Sequence, residues 1–382
     1  MAQILSITGF SFALPFLPFF ISELGIHGTG QQAFWSGVVL GVSGVTFCLS
    51  APLWGILADR YGRKIMVCRS MFAGAAVLLL MSFVRTIGQL VACRLIQGAF
   101  TGTLAASIAL VASVTPRDRS GLTLGMMQAA VFIGTTIGPL FGGVLADLYG
   151  YRNAFRAGAV VVLLGGLLVL LGVRENFVAP EQDQIGRTMG FRKILAAGGF
   201  LVAVAVMFGV HLSNAMVSPS FPLIVKEIIP SFANLNSITG SVLAAAALAG
   251  AVSSVLFGHI GDRLGHKKIL AACCAASAVS SIGHFFAFNL PSLFIARILF
   301  GLAVAGMLPS ANAMIHKIID KKCIGKAYGA ATSLSMVGIA LGPFLGGGIA
   351  KAAGLRTPFL VVAGLQILMA FFIAAFVKTK QQ

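Results

Sequence analysis

The charged residues with the clearest potential for chemistry occur in two copies along the chain. The copies are Gly55, Asp59, Arg60, Gly62 and Arg63, then Gly258, Asp262 and Arg263, 203 residues later. A carboxylate such as Asp59, at the end of an apolar helix, can face the positive N-terminus of a neighbouring helix. A glycine such as Gly55 lets two helices approach closely. We predict that each copy is a lock that forms and breaks between helices; the alternative is a solvated turn.

Two arginines, Arg94 and Arg297, fall inside apolar stretches and are also 203 residues apart. A charge within lipid is costly, so it faces a cavity or a partner. We predict a functional role in a cavity for both. The alternative is structural hydrogen bonding to backbone carbonyls of a neighbouring helix.

Other titratable groups are scarce in the apolar stretches. None of the ten acids falls at the middle of a predicted helix, and Asp147 lies deepest. His211 can titrate near neutral pH, although a lone histidine in an apolar helix is more often a hydrogen-bonded structural residue. We therefore group Asp147 and His211 with the two arginines as candidate proton-coupling or cavity residues.

Composition indicates that these residues are positioned by membrane helices. The 382 residues are 58% hydrophobic and 10% charged, with a mean hydropathy of +0.97. A membrane-crossing helix needs about 20 apolar residues, and several stretches of that length lack charge. No HExxH, P-loop or CxxC pattern occurs, so we predict neither an enzyme nor a metal site.

Hydropathy predicts an all-α membrane protein with twelve transmembrane helices, hereafter segments 1 to 12. The predicted ranges are 4–24, 34–58, 65–84, 88–113, 122–147, 154–173, 194–225, 235–258, 269–288, 291–316, 326–350 and 356–377. The longest polar stretch, 174–193, separates a six-helix bundle at 1–173 from a second at 194–382. We predict that it is a cytoplasmic linker.

Basic residues indicate the orientation of the chain. One set of loops and the C-terminal tail hold 18 lysines and arginines, and the opposite set holds 6. Because basic loops stay in the cytoplasm, both termini are predicted to be cytoplasmic, in a bacterial inner membrane. The net charge of +17 therefore reflects topology rather than nucleic-acid binding. No charged leader or cleavage site is evident, so no signal peptide is predicted.

The two bundles are predicted to be copies of one repeat. Besides the locks and arginines, Gly138–Pro139 and Arg152 recur 204 residues on, as Gly342–Pro343 and Arg356. A constant offset through uncommon residues indicates two pseudo-symmetric halves related by an axis along the membrane normal.

Segment 5 carries a stripe of glycines, Gly134, Gly138 and Gly142, spaced by four residues and interrupted by Pro139. Small residues on one helix face permit close packing, and proline adds a kink. We predict that this stripe takes part in gating; ordinary packing without gating is the alternative.

These motifs resemble those of the major facilitator superfamily. The run from Gly55 to Lys64 resembles its loop between helices 2 and 3, Arg94 to Gly98 its helix 4 motif, and Gly134 to Gly143 the helix 5 motif of bacterial twelve-helix drug:proton antiporters. The resemblance implies that Asp59 faces segment 11 and that Asp262 faces segment 5. It also implies that this region of segment 5 packs against segment 8 and seals the periplasmic side.

The resemblance also implies a function: proton-coupled export of drugs or amphipathic small molecules by alternating access. The protein would act as a monomer among membrane lipids, with no cofactor beyond the proton gradient. Candidate substrate contacts are Phe16, Gln97, Gln128, Phe132, Asn214 and Met336. Because no acid lies at mid-membrane, a dedicated metabolite or siderophore transporter with a narrow, anionic substrate stays open, as exporter or importer.

Overall fold

The computed structural model describes residues 1–115, 120–175, 200–230, 234–318 and 324–376, which form α-helices joined by turns. The helices are, for segment 1, Ala2–Ser11 and Leu17–Glu23; then Thr29–Tyr61, Arg63–Met81, Ile87–Phe100 with Thr103–Val114, Ser120–Tyr149, Tyr151–Gly172, Phe200–Val217 with Phe221–Ile228, Leu235–Leu264, His266–Phe285, Leu290–Ile318, Ile324–Ala353 and Thr357–Phe376. Within these ranges, eleven segments are long and apolar enough to cross a membrane. Segment 4 is not among these eleven, because each of its two helices is too short to cross a membrane alone.

Prolines interrupt segments 1 and 7, which we had predicted as continuous helices. Pro15 lies in a 3-10 turn, Leu14–Phe16, and Pro18 begins the helix that follows it. Pro222 likewise stands in the first turn of the second helix of segment 7. Proline lacks an N–H and clashes with the preceding turn, so it is tolerated best where a helix begins. Residues 194–199, predicted to start segment 7, lie outside the described residues.

Segment 4 breaks without a proline, which the sequence prediction missed. The chain leaves the helix at Thr101 and re-enters it after Gly102, whose φ is +132°. This backbone conformation is strained for any residue with a Cβ. In contrast, the helix of segment 5 runs without interruption through Pro139.

Each half has its own hydrophobic core. One cluster of buried side chains belongs to segments 1 to 6, and two others belong to segments 7 to 12. A fourth, smaller cluster joins the halves and consists of Phe16, Phe19, Ala33, Leu223 and Ala350. The halves therefore share this buried cluster in addition to their separate internal cores.

Equivalent arginines stabilise the two halves in the same way. Arg152 Nη1 donates to the carbonyl of Ser82 at 2.9 Å, at the end of segment 3. Arg356 Nη1 donates to the carbonyls of Phe285 and Ala287 at 2.9 and 2.7 Å, at the end of segment 9. A cation at the C-terminus of a helix binds its free carbonyls and complements its dipole. The repeat seen in the sequence is thus also a repeat of contacts.

Candidate functional site

The closest approach between the halves on one side joins segments 5 and 8. A Cβ built on Gly240 would lie 2.1 Å from the carbonyl oxygen of Pro139, and one on Gly143 would lie 2.4 Å from the carbonyl oxygen of Asn236. Any side chain at either glycine would collide with backbone. We call this contact the 5/8 seam.

A second seam, the 2/11 seam, repeats the first by pseudo-symmetry. A Cβ on Gly37 would lie 2.2 Å from the carbonyl oxygen of Pro343, and one on Gly347 would lie 2.6 Å from that of Ala33. Gly37 and Ala33 are the repeat equivalents of Gly240 and Asn236. The same glycine and proline pattern therefore closes both sides of the interface.

The predicted glycine stripe faces segment 1 rather than segment 8. Cβ atoms on Gly134, Gly138 and Gly142 would meet Ile7, Ser11 and the carbonyl of Phe12, all in or just after the first helix of segment 1. This region of segment 5 does contact segment 8, as predicted, but through Pro139 and Gly143 rather than through the stripe. Residues four apart share one helix face, and the seam uses the adjacent face, which carries Pro139 and Gly143. In segment 11, Gly338, Gly342 and Gly346 pack against segment 7 in the same way.

Asp147 bridges the 5/8 seam. Its Oδ1 accepts hydrogen bonds from the backbone N and Nδ2 of Asn236, at 3.1 and 2.8 Å. Its Oδ2 accepts from the backbone N and Oγ of Ser237, at 2.7 and 2.5 Å. Both partners lie in the first turn of segment 8, where backbone N–H groups lack helical acceptors and the dipole favours an anion. Asp147 of one half thus caps a helix of the other.

The 2/11 seam has a different charge at the equivalent position. Lys351, the repeat counterpart of Asp147, places Nζ 4.6 Å from the ring centroid of Phe34. An ammonium group over an aromatic face is attracted by the ring quadrupole. Sequence reasoning did not identify Asn236, Ser237 or Phe34, because each becomes relevant only through a contact between halves.

Toward the opposite end of the bundle, glycines of both halves have open space around them in the described part of the chain. Gly55, Gly125 and Gly258 lie there on segments 2, 5 and 8, and a Cβ on any of them would have no neighbour within 4 Å. We call this the open end, and the end that carries the seams the closed end. Among the described residues, no atom approaches Gly55 in the way that the sequence predicted.

The predicted locks lie at the open end. Asp59 and Asp262 are in the last turns of segments 2 and 8, but their side chains are outside the described part of the chain. The side chains of Arg60 and Arg263 are exposed. Glu175, at the start of the predicted linker, accepts hydrogen bonds from the backbone N of Arg63 at 3.0 Å and of Lys64 at 2.7 Å.

Glu175 thus caps the N-terminus of segment 3, directly after Gly62, whose φ is +94°. The sequence offered only a weak signal for this contact, an acid following Arg174. Asp59 remains a predicted lock residue, and Glu175 adds an acid that holds the loop between segments 2 and 3 to the end of segment 6.

Arg94 is buried, and each of its three guanidinium nitrogens donates a hydrogen bond. Its Nε donates to the carbonyl of Val39 at 3.0 Å, its Nη2 to Ser43 Oγ at 2.7 Å, and its Nη1 to Gln97 Oε1. Two of these acceptors belong to segment 2, so Arg94 ties segments 2 and 4 together. This is the geometry expected of the structural alternative, and it also fixes Gln97.

Arg297 has the same place in the repeat but lacks those partners. Phe300 replaces Gln97, and Ala246 replaces Ser43. The Cζ atom lies 4.3 and 5.5 Å from the ring centroids of Phe221 and Phe300. Within the described residues, Nε and Nη1 have no hydrogen-bond partner although they are buried. The two arginines are therefore equivalent in sequence and different in chemistry.

The remaining predicted residues are scattered around the interior. Of the predicted substrate contacts, Phe16 and Gln97 are buried, Phe132 and Met336 are half-buried, and Gln128 and Asn214 are exposed. His211 is half-buried on segment 7. None of the six candidate substrate contacts lines either of the two described cavities, and their roles stay predictions.

Comparisons with known proteins agree with this architecture. A family model described as Major Facilitator Superfamily matches residues 1–210 and again residues 203–382. The multidrug resistance protein MdtG of Rahnella sp. (strain Y9602) is 32% identical over 93% of this chain and 86% of its own length. MdtG of Proteus mirabilis (strain HI4320) is 31% identical over 94% of this chain and 89% of its own length.

A solved structure shares the fold at low identity. The crystal structure of a bacterial homologue of the human lysosomal transporter Spinster, in an inward-facing and occupied conformation, superposes with a TM-score of 0.79. It is 14% identical and covers 98% of this chain and 95% of its own. Because a family model matches both halves and relatives above 30% identity span most of the sequence, this chain belongs to the major facilitator superfamily, as a multi-pass secondary transporter rather than an enzyme.

Proposed function

We propose that this protein exports drugs or other amphipathic small molecules from a bacterial cell, driven by the proton gradient. The observation that carries the proposal is the pair of pseudo-symmetric seams at one end and the open space around Gly55, Gly125 and Gly258 at the other. Such an arrangement can exchange its open and closed ends by rocking two bundles about a central cavity. The relatives named as the multidrug resistance protein MdtG support drugs as the substrate class.

The distribution of basic residues supports an orientation in the inner membrane. In the sequence, one set of predicted loops and the C-terminal tail hold 18 lysines and arginines, and the opposite set holds 6; Arg60, Arg63, Lys64 and Arg263 of the richer set lie at the open end. By the positive-inside rule, the open end faces the cytoplasm, both termini are cytoplasmic, and the conformation is inward-open. The two moving bundles would be residues 1–173 and 194–382, and residues 174–193 would link them. The protein would work as a monomer among membrane lipids.

Outward opening would break both seams and form the cytoplasmic locks. Gly55 and Gly258 would then come close to neighbouring helices, and Asp59 and Asp262 would face the N-termini of segments 11 and 5. Asp147, His211, Arg94 and Arg297 are the proposed proton-coupling residues. Asp147 has a particular place among them, because opening the 5/8 seam would remove the hydrogen-bond donors of its carboxylate.

A second function, transport of a narrow anionic metabolite, is favoured by one observation. Arg297 carries unpaired N–H groups among the described residues, whereas Asp147 is saturated with donors. An interior in which a guanidinium has N–H groups available, and in which the carboxylate already accepts four hydrogen bonds, suits a negatively charged substrate better than a cationic one.

Dye efflux from proteoliposomes tests the proposal. Purified protein is reconstituted with a fluorescent dye inside, and a proton gradient is imposed or collapsed with an uncoupler. Gradient-dependent extrusion that is lost in Arg94→Ala supports proton-driven multidrug export. Well-folded protein that moves no dye under either condition contradicts it and favours the narrow-substrate transporter.

A further inference from the structure

An acid and an amine share a cavity at the closed end without touching. The cavity has a volume of about 360 Å³ and is lined by Phe19, Ser22, Glu23, Tyr151, Lys226 and Leu235. Neither Glu23 nor Lys226 has an ion-pair partner within 4 Å in the described ranges. The two charges therefore stand apart, with space between them for a small molecule.

Comparison of the halves explains why Glu23 is available. Its repeat equivalent, Glu227, pairs with Arg356 at 3.5 Å. The equivalent arginine in the first half, Arg152, directs Nη1 at the carbonyl of Ser82 and lies 5.6 Å from the ring centroid of Phe20. Arg152 acts on Glu23 electrostatically but makes no ion pair with it. One copy of the acid is thus neutralised and the other is left facing the cavity.

The cavity exists because the halves meet at this end. Phe19 and Glu23 come from segment 1 and Tyr151 from segment 6, whereas Lys226 and Leu235 come from segments 7 and 8. The hydroxyl of Tyr151 lies 3.2 Å from Asn236 Nδ2, which also donates to Asp147 across the 5/8 seam. Opening the seam would therefore separate the two walls.

We propose that this cavity binds a small zwitterion and that its occupation holds the closed end shut. The ammonium group of the ligand would face Glu23, its acidic group would face Lys226, and Phe19, Tyr151 and Leu235 would contact the apolar part. Charge-assisted hydrogen bonds at both ends would give the site its specificity. A ligand that binds one conformation alone shifts the equilibrium toward it, so the zwitterion inhibits transport. This consequence depends on the alternating-access function proposed above.

Linear ω-amino carboxylic acids are suitable probes because their chain length sets the distance between the charges. Binding to purified protein in lipid nanodiscs is measured by isothermal titration calorimetry for chains of increasing length. We expect one length to bind best, and the alkylamine and the carboxylic acid of the same length to bind at least tenfold more weakly. Equal affinity for the singly charged probes, or no binding to folded protein, overturns the proposal.

Charge exchange separates binding from a structural effect. Glu23→Lys and Lys226→Glu should each weaken binding of the best probe at least tenfold. The double variant exchanges the two charges and should restore the affinity, because the probe can bind with its ammonium and carboxylate ends exchanged. Glu227→Gln is the matched control, because this acid lies beside Lys226 outside the cavity lining, and it should bind like wild type. A double variant that stays as weak as the single ones contradicts the assignment.

Transport is measured separately in the same preparations. Saturating probe should slow dye efflux by wild type and by the double variant, but not by Glu23→Lys. If the probe binds with the expected charge dependence and no dye is moved at all, the drug-export function fails while the binding site stands. If dye is exported and the probe does not bind, the site fails alone.

Discussion

Gly240→Ala tests whether the 5/8 seam closes one end of the protein. The Cβ of alanine would lie 2.1 Å from the carbonyl oxygen of Pro139, whereas ordinary contacts begin at 3.4 Å, so the two backbones must separate by about 1.3 Å. The oxygen belongs to the backbone of a packed helix and cannot rotate away. The seam must therefore widen or open.

The size of the effect follows from this overlap. Overpacking a close contact costs about 1–3 kcal/mol, which corresponds to a shift of roughly 5- to 150-fold between the closed and open states of this end. Alanine also favours helix over glycine by about 1 kcal/mol. That gain is equal in both states, because segment 8 stays helical, so it cancels from the conformational equilibrium.

Distance measurements by double electron–electron resonance report the equilibrium directly. Nitroxide labels at His27 and Ala352, which are exposed on opposite halves at the closed end, are attached in a background in which the six native cysteines are replaced. Gly240→Ala should increase the population of the longer distance. Gly364→Ala is the control, because its Cβ meets nothing within 4 Å. Identical distance distributions for Gly240→Ala and wild type would refute the reasoning.

Three further predictions follow from named contacts. Asp147→Ala removes the acceptor of four hydrogen bonds at the start of segment 8. It should shift the equilibrium of the closed end toward the open state by about 1–2 kcal/mol, measured as a larger population of the longer distance between the same labels. An unchanged distance distribution would count against the cap. Arg94→Lys should lower the thermal stability and fail to restore efflux, because an ammonium group cannot satisfy the three separate acceptors that the guanidinium binds; wild-type melting would show that the hydrogen bonds are unimportant. Gly102→Ala places a Cβ at a φ of +132° and should destabilise the protein by about 1–3 kcal/mol, measured by thermal unfolding in detergent, with Gly364→Ala as the neutral comparison.

The helices and the repeat were predictable because they depend on local composition and on spacing. Apolar length determines where a segment can cross lipid, and the recurrence of Arg152 as Arg356 correctly indicated equivalent positions. The prolines of segments 1 and 7 were visible too, but their effect on continuity was underestimated. Gly102 could not be distinguished from Gly98, which stays helical and where an added Cβ would lie 2.1 Å from the carbonyl oxygen of Ser43.

The seams were less predictable because spacing identifies a face and not its partner. The stripe at Gly134, Gly138 and Gly142 required a close neighbour, and both segment 1 and segment 8 satisfied that requirement. The partners of Asp147 lie 89 and 90 residues away, in a polar turn without a motif. Arg94 and Arg297 look alike in the sequence, and only the groups packed around them distinguish a guanidinium with three hydrogen-bond acceptors from one whose Nε and Nη1 have none among the described residues.

A reversible cross-link across a seam tests alternating access most directly. The Cβ of a residue at Gly44 would lie 3.0 Å from that of Ala340 across the 2/11 seam, and the Cβ of a residue at Gly250 would lie 3.1 Å from that of Ala305 within the second half. Both separations are near the span of a disulfide. Cysteine pairs at each site are compared in proteoliposomes. Oxidation of the Gly44→Cys/Ala340→Cys pair should stop gradient-driven efflux and reduction should restore it, while the Gly250→Cys/Ala305→Cys pair stays active; continued efflux with the seam cross-linked would contradict the account.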